Sequence, residues 1–158
     1  MNLAAFELKN NTSIEKIKYY CAYQERSHKE VRTKLLELGV YGNDLENHIT
    51  TLIDENYLNE ERYACAIVRG KFRYKQWGRN KILSTLKQQD ISAYCIKKGM
   101  AEIDEDEYLK TIDILSEKKL ATLSGEKNKF TKMTKLKNYL LQKGYEFEYI
   151  NDIIKQNF

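Results

Sequence analysis

Proline is absent from this 158-residue chain, and glycine occurs only seven times. All-β folds need frequent turn residues of those two kinds, so a sheet-rich reading is disfavoured. Cysteine is scarce as well: Cys21, Cys65 and Cys95 are odd in number, far apart and form no C-x-x-C pair. Neither a disulfide framework nor a zinc site follows, and a reducing cytoplasm is the simple expectation. The two histidines, His28 and His48, are 20 residues apart and outside any H-E-x-x-H pattern, so no metal is expected. No apolar run reaches 18 residues, which argues against a membrane-spanning helix. Leu3-Ala4-Ala5-Phe6, cut by Glu7, is too short for a signal-peptide core. No G-x-x-x-x-G-K-S/T or G-x-G-x-x-G pattern occurs, so no nucleotide cofactor is expected. No catalytic constellation emerges; the three cysteines lie on or beside apolar stripes and read as small core residues.

What is present is a core's worth of apolar side chains and an uneven charge. The chain is 42% apolar with 12 tyrosines, enough to bury a core, and its 32% charged content suits solvated helix faces. The net charge of +4 is concentrated at the centre. From Arg62 to Lys98 ten basic residues stand against Asp90 alone, while the segments on either side are mildly acidic. A basic centre of this kind points toward a polyanion.

Helical periodicity organises the chain. Residues 1–12 show no period and read as a loose lead-in, followed by a helix from about Ile14 to Gln24 with Ile14, Ile17 and Cys21 on one stripe. Ser27-His28-Lys29-Glu30 is a capping box. Behind it Val31, Leu35 and Leu38 recur at helical spacing, and Gly39 suits a left-handed helix end. Asn43 or Asp44 is expected to cap a third helix carrying Leu45, Ile49, Leu52 and Ile53.

The same grammar then returns. Val31-x-x-x-Leu35-x-x-x-Gly39-Val40 matches Ile82-x-x-x-Leu86-x-x-x-Asp90-Ile91 at an offset of 51 and Leu136-x-x-x-Leu140-x-x-x-Gly144-Tyr145 after a further 54. The first offset also carries Ile14, Ile17 and Cys21 onto Cys65, Val68 and Phe72. In the third copy the first helix opens near Asp104, whose neighbouring acids favour a helix N-terminus. Its nine extra residues are expected in a loop near 123–129. The expected fold is all-α: three tandem three-helix repeats of helix-turn-helix-like form in an elongated or curved array. The blocks are 13–57, 58–103 and 104–158. A block of this size is marginal alone and gains stability from its neighbours.

The candidate binding residues are Arg62, Arg69, Lys71, Arg73, Lys75, Arg79, Lys81 and Lys87. On a helix from about Glu60 to Gln76, Arg62, Arg69 and Arg73 fall near one face. Such a row can neutralise phosphates and release counterions, or meet the acidic surface of a protein. An ordinary solvated face is the plain alternative. Tyr74 and Trp77 interleave with these cations, as in single-strand binders. Trp77 also suits packing at a helix junction, with Gly78 permitting a close turn. Leu58 and Asn59 read as a staple and cap for the helix that follows, and Arg62 could pair with an acid of the preceding helix.

Arg26-Ser27-x-x-Glu30-Val31-x-x-Lys34-Leu35, Tyr57-Leu58-Asn59-Glu60-Glu61-Arg62-Tyr63-Ala64 and Trp77-Gly78-x-x-x-Ile82-x-x-x-Leu86 together resemble the RecX regulatory proteins of bacteria. The resemblance covers roughly residues 13 to 157 and is most specific in the second stretch. It implies tandem three-helix repeats and no catalytic activity. It also implies binding in the groove of RecA filaments on single-stranded DNA, usually with inhibition of the recombinase during recombination and repair. The implied partners are a RecA-type filament and, weakly or through it, single-stranded DNA; a monomer is expected. Asp90, standing where the other copies have Gly, and the longer third copy depart from a uniform repeat. A stand-alone DNA binder without sequence preference and a helical protein–protein scaffold are the competing readings.

Overall fold

The computed structural model describes residues 3–158, and within them the side chains outside 5–11. The described residues form α1 (Leu3–Tyr23), α2 (His28–Glu37), α3 (Gly42–Asp54), α4 (Glu60–Arg73), α5 (Arg79–Gln88), α6 (Ala93–Met100), α7 (Glu105–Thr122), α8 (Lys129–Lys143) and α9 (Phe147–Asn157). They contain no strand. Three successive triplets of helices follow one another as a tandem helical repeat.

The repeat is visible in its hydrogen bonds. The middle helix of each triplet ends the same way, with a backbone N–H reaching back to a buried leucine carbonyl: Val40 to Leu35 at 2.9 Å, Ile91 to Leu86 at 3.2 Å and Tyr145 to Leu140 at 3.1 Å. The residue before each donor is left-handed, Gly39 at φ 78°, Asp90 at φ 56° and Gly144 at φ 96°. Such an end satisfies carbonyls that the helix itself leaves free. Asp90 thus keeps the turn despite its side chain; aspartate tolerates the left-handed region better than most residues. Leu35, Leu86 and Leu140 are each fully buried. Truncating any of them to alanine would cost about 2–5 kcal/mol.

Caps behave as their chemistry requires. Ser27 Oγ accepts from Glu30 N at 3.0 Å while Ser27 N donates to Glu30 Oε2 at 2.7 Å. Asn59 Oδ1 accepts from Arg62 N at 2.9 Å, and Asp104 Oδ1 accepts from Glu107 N at 3.0 Å. Each satisfies an N–H that the first helical turn cannot.

Four expectations need correction. The lead-in over 1–12 falls partly on residues 1 and 2, which lie outside the described residues. From Leu3 onward the backbone belongs to α1, because nothing between Leu3 and Tyr23 is a proline or glycine that would break it. Neither Asn43 nor Asp44 caps α3; Tyr41 holds the N-cap position without a side-chain bond, and Gly42 at φ 61° turns the chain into the helix. The helix carrying the basic row ends at Arg73, since Gln76 takes φ 55° and turns the chain toward α5. A loop does stand at 123–128 as expected, but it is only one residue longer than the 74–78 turn and does not hold the nine extra residues. α7 has 18 residues against 14 in α4, and α8 has 15 against 10 in α5, so most of the insertion extends the two helices.

Among the described residues the apolar side chains form two cores rather than three. Ile17, Cys21, Val31, Leu35, Leu45, Ile49 and Leu52 fill the first block, and Leu58, the first residue of the second, is packed into the same core. A second, larger core runs without interruption from Tyr63 to Ile153 and joins the second block to the third. Its centre is aromatic: the Tyr108 ring lies 5.8 Å from Phe72, 5.1 Å from Tyr145 and 5.3 Å from Tyr149. Beyond Leu58, the first and second blocks are joined by polar contacts. Arg62 Nε meets Glu25 at 2.6 Å, Ser27 Oγ donates to Gln89 at 2.7 Å, and Lys29 Nζ reaches both the Gln88 carbonyl and Asp90.

Candidate nucleoprotein-binding surface

The second and third blocks touch where α5 begins and α8 ends. Gly78 N donates to the Lys143 carbonyl at 2.8 Å, and Asn80 N donates to the Gly144 carbonyl at 2.9 Å. A methyl group on Gly78 would lie 2.3 Å from the Gly144 carbonyl carbon, so only a residue without Cβ fits this approach. The contact holds the α4–α5 turn, residues 74–78, against the end of α8.

Cations gather around that turn. Trp77, half-buried against the second core, has the Lys71 ammonium 4.8 Å and the Lys81 ammonium 4.4 Å from its ring centroid. An ammonium held against an aromatic face is attracted by the ring quadrupole. Arg73, Tyr74 and Lys75 project from the same turn, with Tyr74 87% exposed. The third block adds Lys143, whose ammonium donates to the Lys75 carbonyl at 3.3 Å and stands 5.9 Å from the Tyr139 ring. Lys119 lies 5.2 Å from that ring, and Lys81 Nζ reaches the Gln142 carbonyl at 3.3 Å. Lys119 and Lys143 do not stand out in the sequence, because the third block carries ten basic and ten acidic residues and no net charge. Only their spatial approach to Lys75 and Trp77 reveals them.

The sequence-derived set therefore divides. Arg73, Lys75 and Lys87 are exposed and have no ion-pair partner among the described residues. Lys71 and Lys81 flank Trp77. Arg62 is occupied by Glu25 and by Asn56, through the Asn56 side chain and carbonyl at 3.0 Å each. Arg69 pairs with Glu102 at 3.1 Å. Lys87 sits near the far end of α5, beside the polar junction with the first block.

Arg79 is the most deeply engaged of the set. Its guanidinium lies 3.9 Å from the centroid of the Tyr108 ring and pairs with Glu105 at 2.6 Å and Glu146 at 3.5 Å. It also donates to Tyr149 Oη at 3.2 Å. The backbone N–H of Arg79 donates to Tyr108 Oη at 3.0 Å, and that hydroxyl donates to Glu146. Burial alone would lower the Arg79 pKa, but the hydrogen bonds with Glu105 and Tyr149 and the two carboxylate charges leave it above its ordinary value. Tyr149 and then Arg79 hold the Glu105 carboxyl below the usual range. Three elements, α5, α7 and the start of α9, are tied together at this side chain.

No group of three or more His, Cys, Asp or Glu side chains among the described residues could hold a metal ion. No helix among them is long and apolar enough to cross a membrane. Burial pushes the Cys21 thiol up to about 11 and also raises Cys65 and Cys95. Thiols of that kind are poor nucleophiles at neutral pH.

Family models described as the second and third three-helix domains of RecX match residues 59–100 and 105–154. The chain belongs to the RecX family. It is 32% identical over 132 residues to the regulatory protein RecX of Clostridium perfringens strain 13, covering 83% of this chain and 61% of that one. It is 31% identical over 122 residues to the regulatory protein RecX of Vibrio campbellii, covering 77% of this chain and 76% of that protein. The chain thus spans about three-fifths of the clostridial relative's length. The crystal structure of RecX from Lactobacillus salivarius superposes with a TM-score of 0.82 at 26% identity, over 94% of this chain and 96% of that one. The RecX family supplies the fold expected from the repeat pattern, and the relatives matched are named regulatory proteins.

Proposed function

We propose that this RecX-family protein is a non-enzymatic regulator that lies along RecA-type recombinase filaments on single-stranded DNA and inhibits the recombinase. The observation that carries the reading is the composite basic corner. Lys71, Arg73, Lys75 and Lys81 from the second block meet Lys119 and Lys143 from the third around Trp77 and Tyr139. A polyanionic fibre is the kind of partner such a surface attracts. The shared core beneath the corner holds its two halves in fixed register. The lysines on aromatic faces are partly oriented before any partner arrives, which lowers the ordering cost of binding.

The test measures recombinase ATPase and strand exchange with and without the protein, beside a DNA-only titration. The wild-type chain is expected to slow both reactions. The variant Lys71→Glu/Arg73→Glu/Lys75→Glu, shown to be folded by circular dichroism, is expected to lose most of that effect. Full inhibition by the folded triple variant would count against the basic corner as the contact surface. Tight DNA binding that leaves strand exchange untouched would favour a stand-alone DNA binder.

A further inference from the structure

A second surface, in the first block, is chemically different from the basic corner. α1 and the chain leading into α2 border an open groove of about 690 Å³ whose walls include Tyr19, Tyr20, Tyr23, Lys16, Arg26 and Lys34. Tyr19 and Tyr23 stand one helical turn apart and are 74% and 73% exposed. Residues at that spacing have Cβ atoms about 5–6 Å apart on one helix face. Tyr20 forms the floor: the Arg26 guanidinium lies 3.8 Å from its ring centroid and Arg26 Nε donates to its carbonyl at 3.1 Å, while the Lys34 ammonium stands 5.7 Å from the same ring. Among the described lining side chains the three cations face Glu15 as the one carboxylate, and Leu38 is the one aliphatic residue.

We infer that this groove binds a short stretch of single-stranded DNA, with bases stacking on Tyr19 and Tyr23 and phosphates against Lys16 and Arg26, while Lys34, paired with Glu37 at 3.4 Å, marks its edge. Two exposed rings beside a row of cations is the arrangement by which proteins hold single strands without reading sequence. An amphipathic peptide helix would need several aliphatic anchors at helical spacing, and Leu38 alone does not supply them. The choice of DNA as the strand rests on the reading of the protein as a partner of a DNA filament; the groove itself rests on its own geometry. The neighbouring groove, which shares Tyr20 and Lys34, has Lys29 and Lys34 balanced by Glu30 and Glu37, so the strand's footprint ends there.

The experiment is a titration of the whole chain into a fluorescein-labelled oligothymidylate without recombinase, followed by fluorescence anisotropy. Tyr19→Ala/Tyr23→Ala is expected to weaken binding by about tenfold or more, since each stacked base contributes substantially. Tyr19→Phe/Tyr23→Phe keeps the ring faces and is expected to bind like the parent. Lys16→Glu is expected to flatten the dependence of affinity on salt. Circular dichroism confirms that each variant is folded. Equal affinity of the alanine variant and the parent overturns the inference, as does equal loss in the phenylalanine variant, and so does a parent that binds polyglutamate in preference to the oligonucleotide. These outcomes are separable from those for the filament reading, because the charge-reversed triple variant in the second block leaves the tyrosine groove intact.

Discussion

Replacing Arg79 with methionine removes the cation from the knot that joins α5, α7 and α9 while keeping an apolar side chain of similar length. The hydrogen bond to Tyr149 Oη is lost, and with it three charge-based contributions. The stacked guanidinium over Tyr108 is worth about 0.5–2 kcal/mol. The pair with Glu105 is largely screened, because the Glu105 side chain is 54% exposed, and adds at most about 1 kcal/mol. Glu146 is only 26% exposed and loses its cation, though Tyr108 still donates a hydrogen bond to it. Taken together the loss is about 2–3 kcal/mol. With a urea slope of about 2 kcal/mol/M, the unfolding midpoint is expected to fall by about 1 M. Arg79→Lys is expected to recover only part of this, since an ammonium can neither lie flat on Tyr108 nor bond several partners in a fixed fork. A double-mutant cycle with Glu146→Gln is expected to show coupling above about 0.5 kcal/mol. A midpoint within error of the wild type would refute the idea that Arg79 locks the second and third blocks together.

Other perturbations have equally definite outcomes. Gly78→Ala forces a Cβ to within 2.3 Å of the Gly144 backbone, and thermal melting is expected to show a loss of about 3 kcal/mol or more. His48 is buried and its Nε2 has no hydrogen-bond partner among the described residues, so His48→Leu is expected to be neutral or stabilising in urea titrations. Burial pushes the Tyr63 hydroxyl up to about 12 and raises Tyr108 and Tyr145 as well. A hydroxyl whose folded pKa is raised contributes stability that is intact below the unfolded value and lost as pH climbs through the folded one. Stability measured by urea unfolding is therefore expected to fall between pH about 10 and 12, and a flat profile there would contradict the burial of these rings.

The sequence carried the local grammar well, because caps, left-handed helix ends and apolar stripes are short-range signals. The Ser27–Glu30 box, the Asn59 cap and the three matching ends at Gly39, Asp90 and Gly144 all depend on residues within one or two turns. Asp90 showed as a departure from the repeat, yet its backbone keeps the φ of its glycine counterparts, and its side chain meets Lys29 at 3.3 Å across a block junction. The insertion in the third block was legible in length but not in form. Extra residues without proline can simply prolong α7 and α8.

The candidate surface was less legible, for the reason that charge counted along a chain ignores partners distant in sequence. Arg79 looked like a free cation, but its carboxylates lie 26 and 67 residues downstream. Arg62 and Arg69 are likewise occupied by Glu25 and Glu102. Conversely, Lys143 lies 68 residues from Lys75 in sequence and 3.3 Å from its carbonyl in space. In the sequence Trp77 suits both a stacking platform and a packing residue. The fold uses its ring to pack on the core and to hold Lys71 and Lys81.

The most direct measurement is filament binding by charge-reversed variants drawn one from each side of the composite corner. Lys75→Glu in the second block and Lys143→Glu in the third are titrated against a recombinase filament on single-stranded DNA at several salt concentrations. The account predicts that both weaken association and lower its salt sensitivity to a similar extent. Weakening by Lys75→Glu with no effect of Lys143→Glu would contradict a surface shared between the two blocks.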